Sequence, residues 1–329
     1  MGSKRTGLAF LAAALLAAAL GATARAQELK TWKHGVIEPK GDAGFSLMVS
    51  RHGFAEKQGL KLEIFNFKNG ATAHKALLAG EIDSIESSPG AAILAGAHGA
   101  DIKILGCDWP GVPHGLMVRS TITKVEDLKG KMVAVAAPGS LPNLLINALL
   151  EKYKISPSEV RFANLGGDLD RYKAVVAGIA DAGVVASEFM SIAPKGITML
   201  VAGRDILPNY LRVCLTTTGK VLTDRRADAV GFIAAEMDAL RFAVSHRDDT
   251  IALTREVIQA KPDDPRPAFV YDWAVRTHAI GTDLPIPMDK IDYIQKMAVS
   301  IGSMPKPIDL KTVVDTTLRE KALQLLAGH

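Results

Sequence analysis

The residues with chemistry to offer are few, and most sit where a strand would hand over to a helix. Ser87, Ser88 and Ser140 bring small hydroxyls, each able to donate one hydrogen bond and accept two. Glu38, Asp42 and Glu188 bring carboxylates, Phe45 and Trp109 could form an aromatic wall, and Gly139 and Ser187 belong to the same turns. Such a set suits hydrogen-bonded capture of a small molecule. For Asp42, Ser88 and Ser140 the competing role is capping of the helix that follows. Bond-making machinery is sparse. Cys107, Asp108 and His114 cluster but lack a second ligand pair, so turn residues explain them better than a metal site does. His34, His52 and His74 are scattered as ordinary histidines. Gly219-Lys220 runs into Val221 without the upstream Gly of a phosphate-binding loop, and no Gly-x-Gly-x-x-Gly occurs. No catalytic residue, metal or cofactor is expected.

A repeated unit must hold these residues. Ala76-Leu77-Leu78-Ala79-Gly80-Glu81-Ile82-Asp83 returns as Ala174-Val175-Val176-Ala177-Gly178-Ile179-Ala180-Asp181. Each copy reads as the end of an apolar helix, a Gly in left-handed conformation at its C-cap, and an Asp in the turn feeding a strand. The approach matches too. A strand over 29–36, a helix over 43–52 and a strand over 60–67 precede the first copy. A strand over 131–137, a helix from 141 to 153 and a strand over 160–165 precede the second. This is the order of an open, mainly parallel α/β sheet, and two copies mean two lobes. The chain is expected to cross between them twice, after the turn-rich stretch 107–113 and the short strand 115–119 that follows it, and again through the β-rich stretch 210–218. The divisions expected are 27–119 for the first part of lobe one, 120–210 for lobe two, and 211–329 for a return strand and outer helices. Helical spacing of apolar residues marks 227–245, 248–259, 267–278, 288–300 and 310–326.

Ligands of such sheets lie beyond the carboxyl ends of the strands, where helix N-termini also point. That places a site between four loops, 38–45, 86–90, 139–142 and 187–189. The expected ligand-binding residues are Glu38, Asp42, Phe45, Ser87, Ser88, Trp109, Gly139, Ser140, Ser187 and Glu188. Helix N-termini favour an anion, but Glu38, Asp42, Glu86 and Glu188 outnumber the nearby cations Lys40 and Arg171. An organic ligand with an apolar or aromatic body and a few polar groups, such as a heterocycle or aromatic carboxylate, fits better than nitrate or sulfate.

Lys4 and Arg5 precede the uncharged run 8–20, and Ala24-Arg25-Ala26 is a small-x-small cleavage signal, so residues 1–26 read as a secretory signal peptide. Its loss lowers the formal charge of +4 by three, leaving no electrostatic footprint for nucleic acid. No Cys follows the cleavage signal to accept a lipid, so a soluble, exported, periplasmic protein is expected. Cys107 and Cys214 are the only cysteines. Oxidising surroundings permit a disulfide between them, and two buried thiols are the alternative.

In this order the segments 76–90, 125–131 (Val-Glu-Asp-Leu-Lys-Gly-Lys before a strand and a Gly-Ser-opened helix) and 171–189 resemble the periplasmic substrate-binding proteins of ABC transporters. The resemblance is to the family with sulfonate-, taurine-, nitrate- and thiamine-precursor-binding members. Glu188 and Phe189 fall where many members carry Trp-Glu-Pro-aromatic, although Ala186-Ser187 precede them here and the Pro is missing. The resemblance implies a type II-like two-lobed fold with two hinge crossings, a small organic ligand and an ABC permease in the inner membrane as partners, and a monomer. Two other roles stay open. One is a ligand sensor for a membrane receptor. The other is a thiamine-pyrimidine-synthase-like enzyme, which two distant cysteines and a signal peptide argue against.

Overall fold

The structure, a computed structural model, describes residues 28–328; the expected signal peptide lies outside the described residues. Ten strands form two five-stranded sheets: β1 (Lys30–Ile37), β2 (Leu60–Phe67), β3 (Ser84–Ser87), β4 (Ile102–Pro110), β5 (His114–Arg119), β6 (Met132–Val135), β7 (Arg161–Asn164), β8 (Ala182–Ala186), β9 (Ile197–Ala202) and β10 (Leu211–Thr218). The first sheet runs β2-β1-β3-β10-β4 and the second β7-β6-β8-β5-β9. Each has three parallel strands from its own unit, then one antiparallel crossing strand, then an antiparallel-paired edge strand. The two lobes are therefore copies of one topology.

Local chemistry explains why the phrase repeats. Gly80 and Gly178 both have φ +76°, which lets Glu81 N and Ile179 N turn back to the carbonyls of Ala76 and Ala174 at 3.0 and 2.9 Å. Asp83 and Asp181 then do the same work in each lobe. Their carboxylates accept from Lys33 N and Met132 N, both at 2.8 Å, and their amides donate to the carbonyls of those residues. The phrase thus ends a helix and pins the register of the next strand against the first strand of the unit.

The helices are α1 (Ala43–Ser46), α2 (Phe54–Lys57), α3 (Gly70–Leu78), α4 (Pro89–Ala97), α5 (Leu141–Lys152), α6 (Asp168–Val176), α7 (Gly219–Asp224), α8 (Arg226–Ser245), α9 (Arg247–Val257), α10 (Arg266–Arg276), α11 (Met288–Ser300) and α12 (Thr317–Ala327). Helix α8 buries Phe232, Ile233, Met237 and Leu240 on the first sheet, with Phe232 stacked 5.2 Å from Trp32. Helix α11 lies against both α4 and α5, and α10 reaches the turn Ser187–Ile192. The C-terminal helices thus touch both lobes. One apolar cluster runs from α4 through Cys107, Tyr210, Leu211 and Cys214 into Leu144, Leu145 and Leu149 of α5.

Four expectations are corrected. The strand expected over 115–119 in lobe one begins at His114 and pairs with β8 and β9, so the first crossing falls at 111–113. Residues 107–109 belong to β4 rather than to a loop; the strand reaches Trp109 by register shifts along β10 that absorb its irregular sequence. The helix expected over 43–52 stops at Ser46 and continues only as a 3-10 turn, Met48–Ser50. Gly44 N there donates to Thr254 Oγ1 at 2.9 Å, and α9 sits so close that a Cβ on Gly44 would collide with the Thr250 carbonyl. The last helix begins at Thr317, because Val314 bridges to Ile104 and Asp315 accepts from Thr317 N at 2.9 Å. Cys107 and Cys214, on adjacent strands of the first sheet, form a disulfide.

Candidate functional site

The cavity between the lobes has a volume of about 680 Å³. It lies beyond the carboxyl ends of β1, β2, β3, β6 and β7, and the turns that leave those strands wall it. Much of the wall is apolar, with Ile37, Leu47, Leu94, Leu141 and Val213 among it. Besides the single turn of α1, four helices start at its edge. Only α3 is capped by a side chain, Asn69 Oδ1 accepting from Thr72 N at 3.0 Å. The N-cap residues of α4, α5 and α6 are Ser88, Ser140 and Gly167, and none makes a side-chain cap. Ser88 Oγ pairs instead with the Tyr210 hydroxyl at 2.8 Å, and Ser140 Oγ donates to the Ala137 carbonyl at 2.6 Å. The amides opening these helices keep their partial positive charge for something else.

The charged groups are largely spent on one another. Asp168 is a hub: it meets Arg171 and Lys40 at 2.5 Å, His114 Nε2 at 3.2 Å, and Ala186 N at 3.1 Å. Burial alone would raise its pKa, but Arg171, Lys40 and His114 outweigh that and hold it well below the ordinary carboxylate range. Asp42 pairs with Arg212; against the upward push of burial, Arg212 and Lys40 keep its pKa low. Glu86 is the opposite case, raised well above the usual range by burial and then by Asp108 and Glu236. Burial pushes His114 down to about 4 despite Asp168. His74, also lowered by burial, donates from Nδ1 to the Gly70 carbonyl at 2.7 Å, which leaves Nε2 as an acceptor 3.4 Å from Ser87 Oγ. Lys68, at the rim, makes no ion pair among the described residues.

The lobes touch across the cavity mouth. Lys40 of the first reaches Asp168 of the second, and Gly41 N donates to both Glu188 oxygens at 3.2 Å. The Glu38 carboxylate lies over Gly167, where any Cβ would strike it. Glu38 itself holds φ +25°, a conformation costly for a residue with a side chain.

Of the ten residues expected at the site, Glu38, Asp42, Ser87, Ser88 and Ser140 line this cavity. Gly139 stands behind the wall, packed toward Leu94. Phe45 is a core residue, stacked on Tyr271 at 5.5 Å and edge-on to Trp109 at 5.8 Å. Trp109 is 1% exposed, held between Trp273 and the Arg212 guanidinium. Ser187 and Glu188 join Trp109 around a separate void of about 10 Å³, room for little more than a water. The aromatic wall is therefore a buried hinge support, and Glu188 closes the seam between the lobes. The residues missed are His74, Lys68, Asn69, Asn164, Asp168, Arg212 and His114. Several leave β2 and β7, whose ends are as close to the cleft as those of β1 and β6; the repeat itself was the available signal.

A protein of Bacillus subtilis, provisionally named an aliphatic sulfonates-binding protein, is 26% identical over 283 residues, covering 82% of this chain and 80% of its own. Among solved structures, the periplasmic aliphatic sulphonate binding protein SsuA of Escherichia coli superposes with a TM-score of 0.71 at 22% identity, over 87% of this chain and 92% of that one. The periplasmic nitrate-binding protein NrtA of Synechocystis does so with a TM-score of 0.74 at 15% identity, over 92% and 90%. These structures share the two-lobed periplasmic-binding-protein fold, and all three relatives carry the names of binding proteins. The model of the family described as NMT1/THI5 like matches residues 44–250, and the chain belongs to that family.

Proposed function

We propose that this protein captures a small organic ligand between its lobes by hinge closure and delivers it to an ABC-type permease, working outside the cytoplasm once its signal peptide is removed. The carrying observation is the cavity: large enough for an organic molecule, apolar over much of its wall, and with Lys40, Arg171 and Arg212 already paired to carboxylates. A small hydrated inorganic anion would lose its water for a single unspent counter-charge, Lys68 at the rim, because the inner cations are already paired. An organic ligand is stabilised by burying its apolar body, while the uncapped starts of α4, α5 and α6 receive its polar groups. The relatives support a transport role, since the names they carry are those of binding proteins for sulfonates and nitrate.

Closure follows if the ligand touches both lobes only when they meet. The test is a thermal-shift screen of refolded, ligand-free protein against sulfonates, nitrate, pyrimidines and aromatic acids, with small-angle scattering on the hits. An organic compound should raise the melting temperature and reduce the radius of gyration. Stabilisation by nitrate alone, or an unchanged radius with a bound ligand, would refute the reading.

A further inference from the structure

The first sheet buries three carboxyl groups behind the cavity wall. Glu86 lies at the end of β3 and lines the cavity. Asp108 lies on β4, beyond β10, with Glu86 opposite Leu215 and Trp109 opposite Val213. Glu236 approaches from α8, which covers that face. The three are 7%, 2% and 1% exposed, and Oδ1 of Asp108 and Oε1 of Glu236 have no hydrogen-bond partner.

The groups around them offer no spare positive charge. From the turn before α1 comes Asp42, from β10 Arg212, and these two are paired. Ser46 of α1 brings a hydroxyl to Glu86. His34 of β1 is bound to Ser84 and kept neutral by burial, its pKa lowered to about 3. His74 of α3 is engaged with Gly70. Three carboxyls sharing a dry space with one committed guanidinium do not all ionise.

We propose that Glu86 stands in the cavity wall as the neutral acid, and that its O–H donates a hydrogen bond to an acceptor oxygen of the bound organic molecule. This rests on the solute-binding reading and narrows its ligand. It also removes most of the apparent surplus of carboxylates: Asp42 and Asp168 are paired with cations, Glu188 lies outside the cavity on Gly41, and Glu86 carries a proton, which leaves Glu38 at the mouth, so an organic anion meets a donor at Glu86 instead of a like charge. Burial and mutual repulsion support this, raising Glu86 and Glu236 well above the usual range and Asp108 to about 7.

Two arms test the proposal. In the ligand-free arm, the side-chain carboxyl carbon of Glu86 is followed by ¹³C NMR in the full mature chain from about pH 5 to about pH 9, assigned by its loss in Glu86→Gln or, should that variant fold poorly, in Glu86→Asp. The acid form should persist at neutral pH; a carboxylate shift there overturns the proposal. In the binding arm, benzoate, 1-butanesulfonate and benzylamine are titrated calorimetrically. The two acids should weaken roughly tenfold per pH unit above the Glu86 midpoint and lose that dependence in Glu86→Gln. Preference for benzylamine, tightening as pH rises, would make Glu86 a carboxylate for a cation and overturn the proposal. No binding by any probe overturns the ligand class, whereas a bound ligand without compaction refutes the solute-capture reading separately.

Discussion

Replacing Glu188 with Gln should stabilise the protein in mild alkali and leave it unchanged in acid. The Glu188 carboxyl is 4% exposed and accepts only the Gly41 amide from the opposite lobe. Burial, then the charge of Asp42, raises its pKa from 4.5 to about 7. A carboxyl whose folded pKa lies above its unfolded value binds its proton more tightly when folded. The stability this gives is complete below the unfolded pKa and is lost as pH rises through the folded one. At about 1.4 kcal/mol per pKa unit, the shift from 4.5 to about 7 corresponds to about 3 kcal/mol lost between pH 4.5 and somewhat above 7. Glutamine keeps a carbonyl for Gly41 N–H and carries no charge to desolvate, so Glu188→Gln should gain up to about 3 kcal/mol over the parent near pH 8 and less than about 1 kcal/mol near pH 5. Urea unfolding at the two pH values measures both quantities. Because Gly41 and Glu188 meet only when the lobes are together, scattering should also show the parent opening more readily at the higher pH than the variant. Parallel pH profiles for the two proteins would refute the reasoning, and a variant weaker at both pH values would show that the charged bond to Gly41 outweighs burial.

The cross-link between Cys107 and Cys214 closes a separation of 107 residues. Its removal as Cys107→Ala with Cys214→Ala should cost about 4 to 5 kcal/mol by the chain-entropy account, read as a lower urea midpoint; equal midpoints would show that the denatured chain is already compact. Gly80→Ala should lose about 1 kcal/mol, because its φ of +76° is wrong for alanine although open space surrounds the site. Gly178→Ala should lose about as much, since the one group its Cβ would crowd, Arg119 Nη1 at 2.8 Å, is the end of a flexible side chain that can swing aside; a clearly larger loss would show that Arg119 is held in place. Ser88→Ala with Ser140→Ala should weaken binding of a screened organic ligand by about 1 kcal/mol per hydrogen bond lost with little change in fold, and unchanged calorimetric affinity would remove both hydroxyls from the site.

What was legible in the sequence is what neighbouring residues decide. The Gly80–Asp83 and Gly178–Asp181 phrases carry their own instructions, a left-handed glycine and an aspartate that pins the next strand, so the repeat disclosed two sheets of one topology before any contact was known. The outer helices were legible because each has one apolar face. The strand His114–Arg119 was not, because a short buried run looks the same in either sheet; its allegiance is set by pairing with β8 and β9, tens of residues away. Helix α1 was overestimated for a similar reason: α9, two hundred residues later, leaves no room for a longer regular turn beside Gly44.

The site divides along the same line. Ser87, Ser88, Ser140, Glu38 and Asp42 follow strands directly, and the rule that ligands sit at strand ends was enough to bring them to the cavity. Trp109 and Phe45 carry no local mark separating a cavity wall from a hinge core. They became core because Trp273 and Tyr271, from α10, stack on them. Glu188 follows a strand as the serines do, yet it faces Gly41 of the other lobe instead of the cavity. Its role is a property of closure, the one relation no single lobe encodes, and this is why its proton and the opening of the cleft should be linked.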